Sequence, residues 1–119
     1  MAVKIQTSAG TIEITNDVIA TVVGGAATDV FGVVGMASKQ VLKDGWAELL
    51  KKENYSKGVV IKNTDGMIDV DLYIIVSFGI KITETVKEAQ KKVKYMLEKT
   101  LSQDIHSVNV FVQGVRVMN

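Results

Sequence analysis

The stretch Val30-Phe31-Gly32-Val33-Val34-Gly35-Met36-Ala37-Ser38 carries two glycines, no charge and almost no polarity. The segments on both sides of it read as helices. A surface linker between helices is more polar than this. A bilayer span needs roughly 20 apolar residues, far more than are present. The stretch therefore reads as a packed junction, a tight turn that seats two helices on a sheet. Gly32 and Gly35 stand where a side chain would collide or where φ must be positive.

Upstream, Ile12 and Ile14 alternate with Thr11, Glu13 and Thr15, the pattern of a half-buried strand. Val3 and Ile5 extend the sheet through a turn at Ser8-Ala9-Gly10, or else cover its open face. Thr15 or Asn16 can cap a helix in which Val18, Ile19, Val22, Val23, Ala26 and Ala27 recur at helical spacing. Gly24 and Gly25 interrupt it at about 1 kcal/mol each relative to alanine. Either the helix breaks at this pair or another element packs closely there; the apolar rows continue through it, which favours close packing.

Downstream, Leu42, Trp46, Leu49 and Leu50 form a second, shorter stripe that Asp44 can cap, with Lys51 and Lys52 at its end. Val59 to Ile61 begin a strand, and Asn63-Thr64-Asp65-Gly66 signals a hairpin. A two-residue loop at Thr64-Asp65 sets Val60 opposite Asp69 and Lys62 opposite Met67. The return strand carries Ile68, Val70, Leu72, Ile74 and Val76 on its core face. Thr83 or Thr85 caps a last helix whose buried stripe is Val86, Ala89, Val93, Met96, Leu97 and Leu101. Ser102 to His106 reads as a loop, followed by a strand of alternating Val108, Val110 and Val112, with a bulge at Gly114. The order β-α-α-β-β-α-β over residues 1–119 implies one α+β domain. Its small sheet is mostly antiparallel, with helices on one face.

The 119 residues are 47% hydrophobic, enough for a real core, and carry a formal net charge of +1. That balance gives no global attraction to nucleic acid or anionic lipid. No cysteine is present, which removes disulfides, thiolate nucleophiles and cysteine metal sites. Met1 to Gly10 does not resemble a signal peptide, so a cytoplasmic chain without direct membrane insertion is expected.

Gly32-Val33-Val34-Gly35 matches the GxxG of KH nucleic-acid clamps in position, between two helices. Its content argues against that use, since no Lys or Arg lies between Lys4 and Lys39. Asp65, Asp69 and Asp71 lack calcium-loop spacing, and the single histidine, His106, has only Asp104 near it in sequence. No enzymatic constellation, metal-ligand spacing or cofactor fingerprint is present, so no catalytic, metal or cofactor residue is assigned. Lys87, Lys91 and Lys94 share one helix face and could meet an anionic partner. Val60, Tyr73, Ile75 and Phe111 fall on the sheet face away from the core, an apolar patch of the kind that meets a partner or a second copy.

Gly10 to Thr15, Val18-Ile19-Ala20 and Phe31 to Ala37 resemble the first half of the alkaline shock protein family of Gram-positive bacteria. Gly58 to Ile61, Val70 to Val76 and Val108 to Val115 resemble its second half, and the short chain looks most like the small YloU-like branch. The resemblance implies a non-enzymatic cytoplasmic scaffold or adaptor in cell-envelope homeostasis and stress response. It also implies self-assembly and a membrane-associated protein partner that can hold it at the inner face of the membrane. A partnership with a lipid-metabolism enzyme, of the fatty-acid-activating or glycerol-kinase-like kind, is the other implied role. The resemblance carries no catalytic or ligand residues and no cofactor.

Overall fold

The computed structural model describes residues 2–40 and 49–117. The chain runs β1 (Ala2–Thr7), β2 (Gly10–Thr15), α1 (Asn16–Thr28), β3 (Val33–Met36), a 3-10 helix (Lys52–Gly58), β4 (Val59–Thr64), β5 (Met67–Ser77), α2 (Ile82–Leu101) and β6 (Ile105–Arg116). It is an α+β fold. β1 and β2 form their own antiparallel hairpin, Val3 opposite Ile14 and Ile5 opposite Ile12.

The main sheet is organised on β5. One edge of β5 pairs along its length with β6 in parallel. The other edge pairs antiparallel with β4 over Met67 to Leu72, then with β3 over Ile74 to Val76. β3 and β4 thus lie end to end on one side of a strand too long for either alone. This is where the reading of the junction changes. Val33 to Met36 is a strand, because the end of β5 beyond β4 would otherwise leave its backbone groups unpaired. The turn is confined to the residues before it. Gly32 takes φ +97°, and its carbonyl accepts from Ser77 N at 2.8 Å.

Both helices cover one face of the sheet. Ile19 and Val23 of α1 and Val93 and Leu97 of α2 join Val70, Leu72, Ile74 and Val76 in the core. Burial at this density is the main stabilising term, on the order of 2 kcal/mol for each large side chain. Val18, although on the same sequence stripe as Ile19, is 53% exposed. The glycine pair in α1 divides in function. A Cβ on Gly24 would lie 2.1 Å from the Tyr55 ring, whereas one on Gly25 would meet open space. The element that packs there is the 3-10 helix carrying Tyr55.

Several local expectations change. Leu42, Asp44 and Trp46 lie outside the described residues. Leu49 is bridged to Ala37 as an extended pair, and Leu50 N donates to Met36 O at 2.8 Å. Neither is helical. Lys51 precedes the 3-10 helix and Lys52 opens it, so neither closes a helix. The β4–β5 loop is Asp65-Gly66, both at positive φ, so Thr64 opposes Met67, Val60 opposes Asp71 and Lys62 opposes Asp69. The register moves by two residues, which keeps every side chain on its expected face. α2 starts at Ile82 with Lys81 as its N-cap, placing Thr83 and Thr85 inside the helix. Thr85 is buried there, against the space where a Gly32 side chain would be. β6 starts at Ile105, so His106 belongs to a strand.

Candidate functional site

The sheet face opposite the helices carries the odd-numbered residues of β5 and their cross-strand neighbours. Pairing of Asp69 with Ser107, Asp71 with Asn109 and Tyr73 with Phe111 sets three side-chain rungs across β5 and β6. The Tyr73 and Phe111 rings stack, with centroids 4.8 Å apart and planes inclined by 16°. Such stacking adds about 0.5–1.5 kcal/mol to area burial. Tyr73 is half-buried, while Phe111 keeps 42% of its surface exposed.

The other two rungs are polar and joined. Lys62 Nζ lies 3.0 Å from Asp71 Oδ2, and Asn109 Nδ2 donates to Asp71 Oδ1 at 2.9 Å. Asp71 is buried, and these two partners satisfy its carboxylate. Asp71 holds the Lys62 ammonium above the usual lysine value through hydrogen bonding and direct charge attraction. Asp69 Oδ1 accepts from the Ser107 hydroxyl and from His106 Nδ1, the latter at 2.8 Å. A carboxylate acceptor requires the proton on Nδ1, so Nε2 is the free ring nitrogen.

The Ser107 hydroxyl, and after it His106, lower the Asp69 carboxyl below its usual value. A depressed folded-state value stabilises the fold above the ordinary carboxylate pKa near 3.9 and is lost as pH falls through the lower folded value. Ser107→Ala is therefore expected to be less stable than wild type at pH 6, with the gap narrowing as pH falls below the ordinary carboxylate range. Urea unfolding across that range measures this, and a gap that does not change with pH would remove the assigned role of Ser107.

The four apolar residues expected on this face do not behave alike. Val60 is half-buried, Tyr73 and Phe111 form the stacked pair, and Ile75 has no exposed surface. Ile75 sits between Gly35 of β3 and Gly114 of β6. Leu49 occupies the space of an absent Gly35 side chain beside it, and Gln113 Nε2 donates to the Ser38 and Lys39 carbonyls at 3.4 and 3.2 Å. Ile75 is therefore withdrawn from the face open to a partner. Gly35 lies within β3 opposite Ile75, so the backbone a phosphate clamp would use is spent in the sheet. The Gly32-to-Gly35 segment joins no two described helices.

Lys87, Lys91 and Lys94 are all exposed on α2, with Lys91 at 3.9 Å from Glu88. Sequence reasoning missed the Asp69–Ser107–His106 group. Its signal was the alternation running back from Val108, hidden by an irregularity in register between Ile68 and Asp69. It also passed over Phe31 and Phe78, 89% and 70% exposed at neighbouring loops. Among the described residues, no helix is long and apolar enough to cross a membrane. No group of three or more His, Asp or Glu side chains among them could hold a metal ion.

The sequence profile of the alkaline shock protein 23 family, described by a cell envelope-related function, matches residues 4–117. The uncharacterized protein Spy1614 of Streptococcus pyogenes serotype M6 is 55% identical over 118 residues, covering 99% of this chain and 98% of its own. The uncharacterized protein YloU of Bacillus subtilis is 50% identical over 119 residues, covering 100% and 99%. The uncharacterized protein YqhY of the same organism is 31% identical over 110 residues, covering 92% and 80%. No solved structure matches the chain. With a profile spanning nearly its whole length and full-length relatives at half identity or more, the chain belongs to the alkaline shock protein family, in its YloU-like branch.

Proposed function

We propose that this chain is a non-enzymatic cytoplasmic scaffold in cell-envelope homeostasis and stress response, which self-associates and docks on an envelope-associated protein. The observation that carries the reading is the Tyr73–Phe111 stack on a sheet face that the helices do not cover. A stacked aromatic pair with one ring 42% exposed is the kind of rigid anchor that dominates protein interfaces. The polar rungs beside it are internally satisfied, so a partner can cover them without stranding a charge. The cell envelope-related family supplies the setting, and an adaptor at the inner face of the membrane needs no spanning segment of its own.

Sedimentation velocity tests the self-association. Wild type is expected to show a concentration-dependent oligomer, and Phe111→Glu a monomer, with affinity weakened at least on the order of 30-fold, as for loss of a hot-spot residue of about 2 kcal/mol. A wild type that stays monomeric at high concentration, or an oligomer indifferent to Phe111→Glu, overturns it.

A further inference from the structure

We propose that the groove between α2 and β6 binds the phosphate group of a small soluble molecule. Lys87, Lys91 and Lys94 sit at i, i+4 and i+7 on α2, one stripe on a 3.6-residue repeat. Together with His106, Ser107 and Val108 of β6 they line a hollow of about 380 Å³, the size of a small-ligand site. Three like charges on neighbouring turns repel one another and cost helix stability. A chain with 14 basic and 13 acidic residues has nearly equal numbers of each with which to intersperse them. Here the basic side chains are gathered at a concavity.

The carboxylates nearby do not neutralise the group. Glu88 reaches only Lys91, at 3.9 Å, with both side chains mostly exposed. Asp69 Oδ1 is engaged by Ser107 and by His106 Nδ1. That contact also fixes the ring, so Nε2 is the nitrogen left to meet a ligand, as a donor when the imidazole is protonated. Asn109 Nδ2 donates to Ser107 Oγ at 3.3 Å, which ties the hydroxyl into the same network as Asp69. Gln90, the remaining polar side chain of the groove, is spent on Val108 O at 3.0 Å.

The result is three ammonium groups and one oriented imidazole around a hollow floored by Val108. Lysine acts on phosphate as a mobile point charge, which suits a phosphate monoester or diphosphate. No Phe, Tyr or Trp lines the groove, and its one ring, the His106 imidazole, is tied to Asp69, so it offers little platform for a stacked base; its place between helix and strand suits a compact ligand better than a bilayer plane.

The test is an amide NMR titration of the full chain with pyrophosphate, against sodium chloride at matched ionic strength. Saturable shifts confined to residues 87–94 and 105–108 are expected. Lys87→Gln, Lys91→Gln and Lys94→Gln should each weaken binding on the order of tenfold, the scale of one charged hydrogen bond. Lys99→Gln, on the same helix outside the groove, should leave it unchanged. Shifts equal in the chloride control, shifts spread over every lysine, or indifference to the three substitutions overturn the site. Co-sedimentation with phosphatidylglycerol vesicles without a pyrophosphate response overturns the soluble ligand. None of the three lysines belongs to the Tyr73–Phe111 pair, so a lost ligand and a lost oligomer are separable results.

Discussion

Ile74→Ala is expected to destabilise the fold by about 2–5 kcal/mol, the range for truncating a large buried aliphatic side chain. Ile74 has no exposed surface and lies on β5 where the strand passes from its pairing with β4 to its pairing with β3. Its side chain is part of the cluster that includes Ile19, Val23, Val93 and Leu97, so both helices lose a contact surface at once. β5 and β6 are held by backbone pairing and cannot collapse onto the space, which puts the cost in the upper part of the range. Ile74→Val should cost about 0.5–1.5 kcal/mol. Val18→Ala should cost little, because 53% of Val18 already faces solvent. Urea unfolding of the three variants checks the order. An Ile74→Ala loss no larger than that of Val18→Ala would mean that β5 is not the centre of the core.

Gly58→Ala is the second large effect, and its cause is backbone. A Cβ at Gly58 would lie 2.1 Å from the Ala37 carbonyl oxygen and 3.2 Å from Leu50. Ala37 cannot retreat freely. Its N–H donates to Tyr73 O at 2.9 Å, and Lys39 N donates to Lys57 O at 2.9 Å on the other side of the contact. Relief of the clash therefore breaks a sheet hydrogen bond or displaces the start of β4, for about 1–3 kcal/mol or more. On a domain of this size each kcal/mol moves the melting temperature by on the order of 4 °C. Gly25→Ala has the opposite sign, because the space is open and alanine is the better helix former by about 1 kcal/mol. Thermal melts of the pair test both statements, and a Gly58→Ala protein as stable as wild type would show that the Ala37–Gly58 contact is loose.

The elements with a strong internal period were legible residue by residue. Ile68, Val70, Leu72, Ile74 and Val76 are all buried, as their alternation requires. The stripe of α2 was legible for the same reason, with Ala89, Val93, Leu97 and Leu101 inside. Asp65-Gly66 placed a hairpin, although the loop sits one residue later than Thr64-Asp65. Short apolar runs were not legible in this way. Val33 to Met36 has no period long enough to separate a strand from a buried turn, and only the unpaired end of β5 decides between them. The candidate site was half legible. Tyr73 and Phe111 share a face by alternation alone, whereas Asp69 meets His106 only through an irregular register between β5 and β6.

The amino-acid sequence by itself determined the elements with a long period, α1, β5, α2 and most of β6, the core faces of β5 and α2, and the family, because these rest on local periodicity and on the order of short motifs. Tertiary structure alone decided that β3 and β4 share one edge of β5, that β6 runs parallel to it, and that Ile75, opposite Gly35, is fully buried. It also brought Lys87, Lys91 and Lys94 to the same hollow as His106. Such relations join residues far apart in the chain, and satisfaction of backbone hydrogen bonds and close packing select among arrangements that the local pattern leaves equivalent.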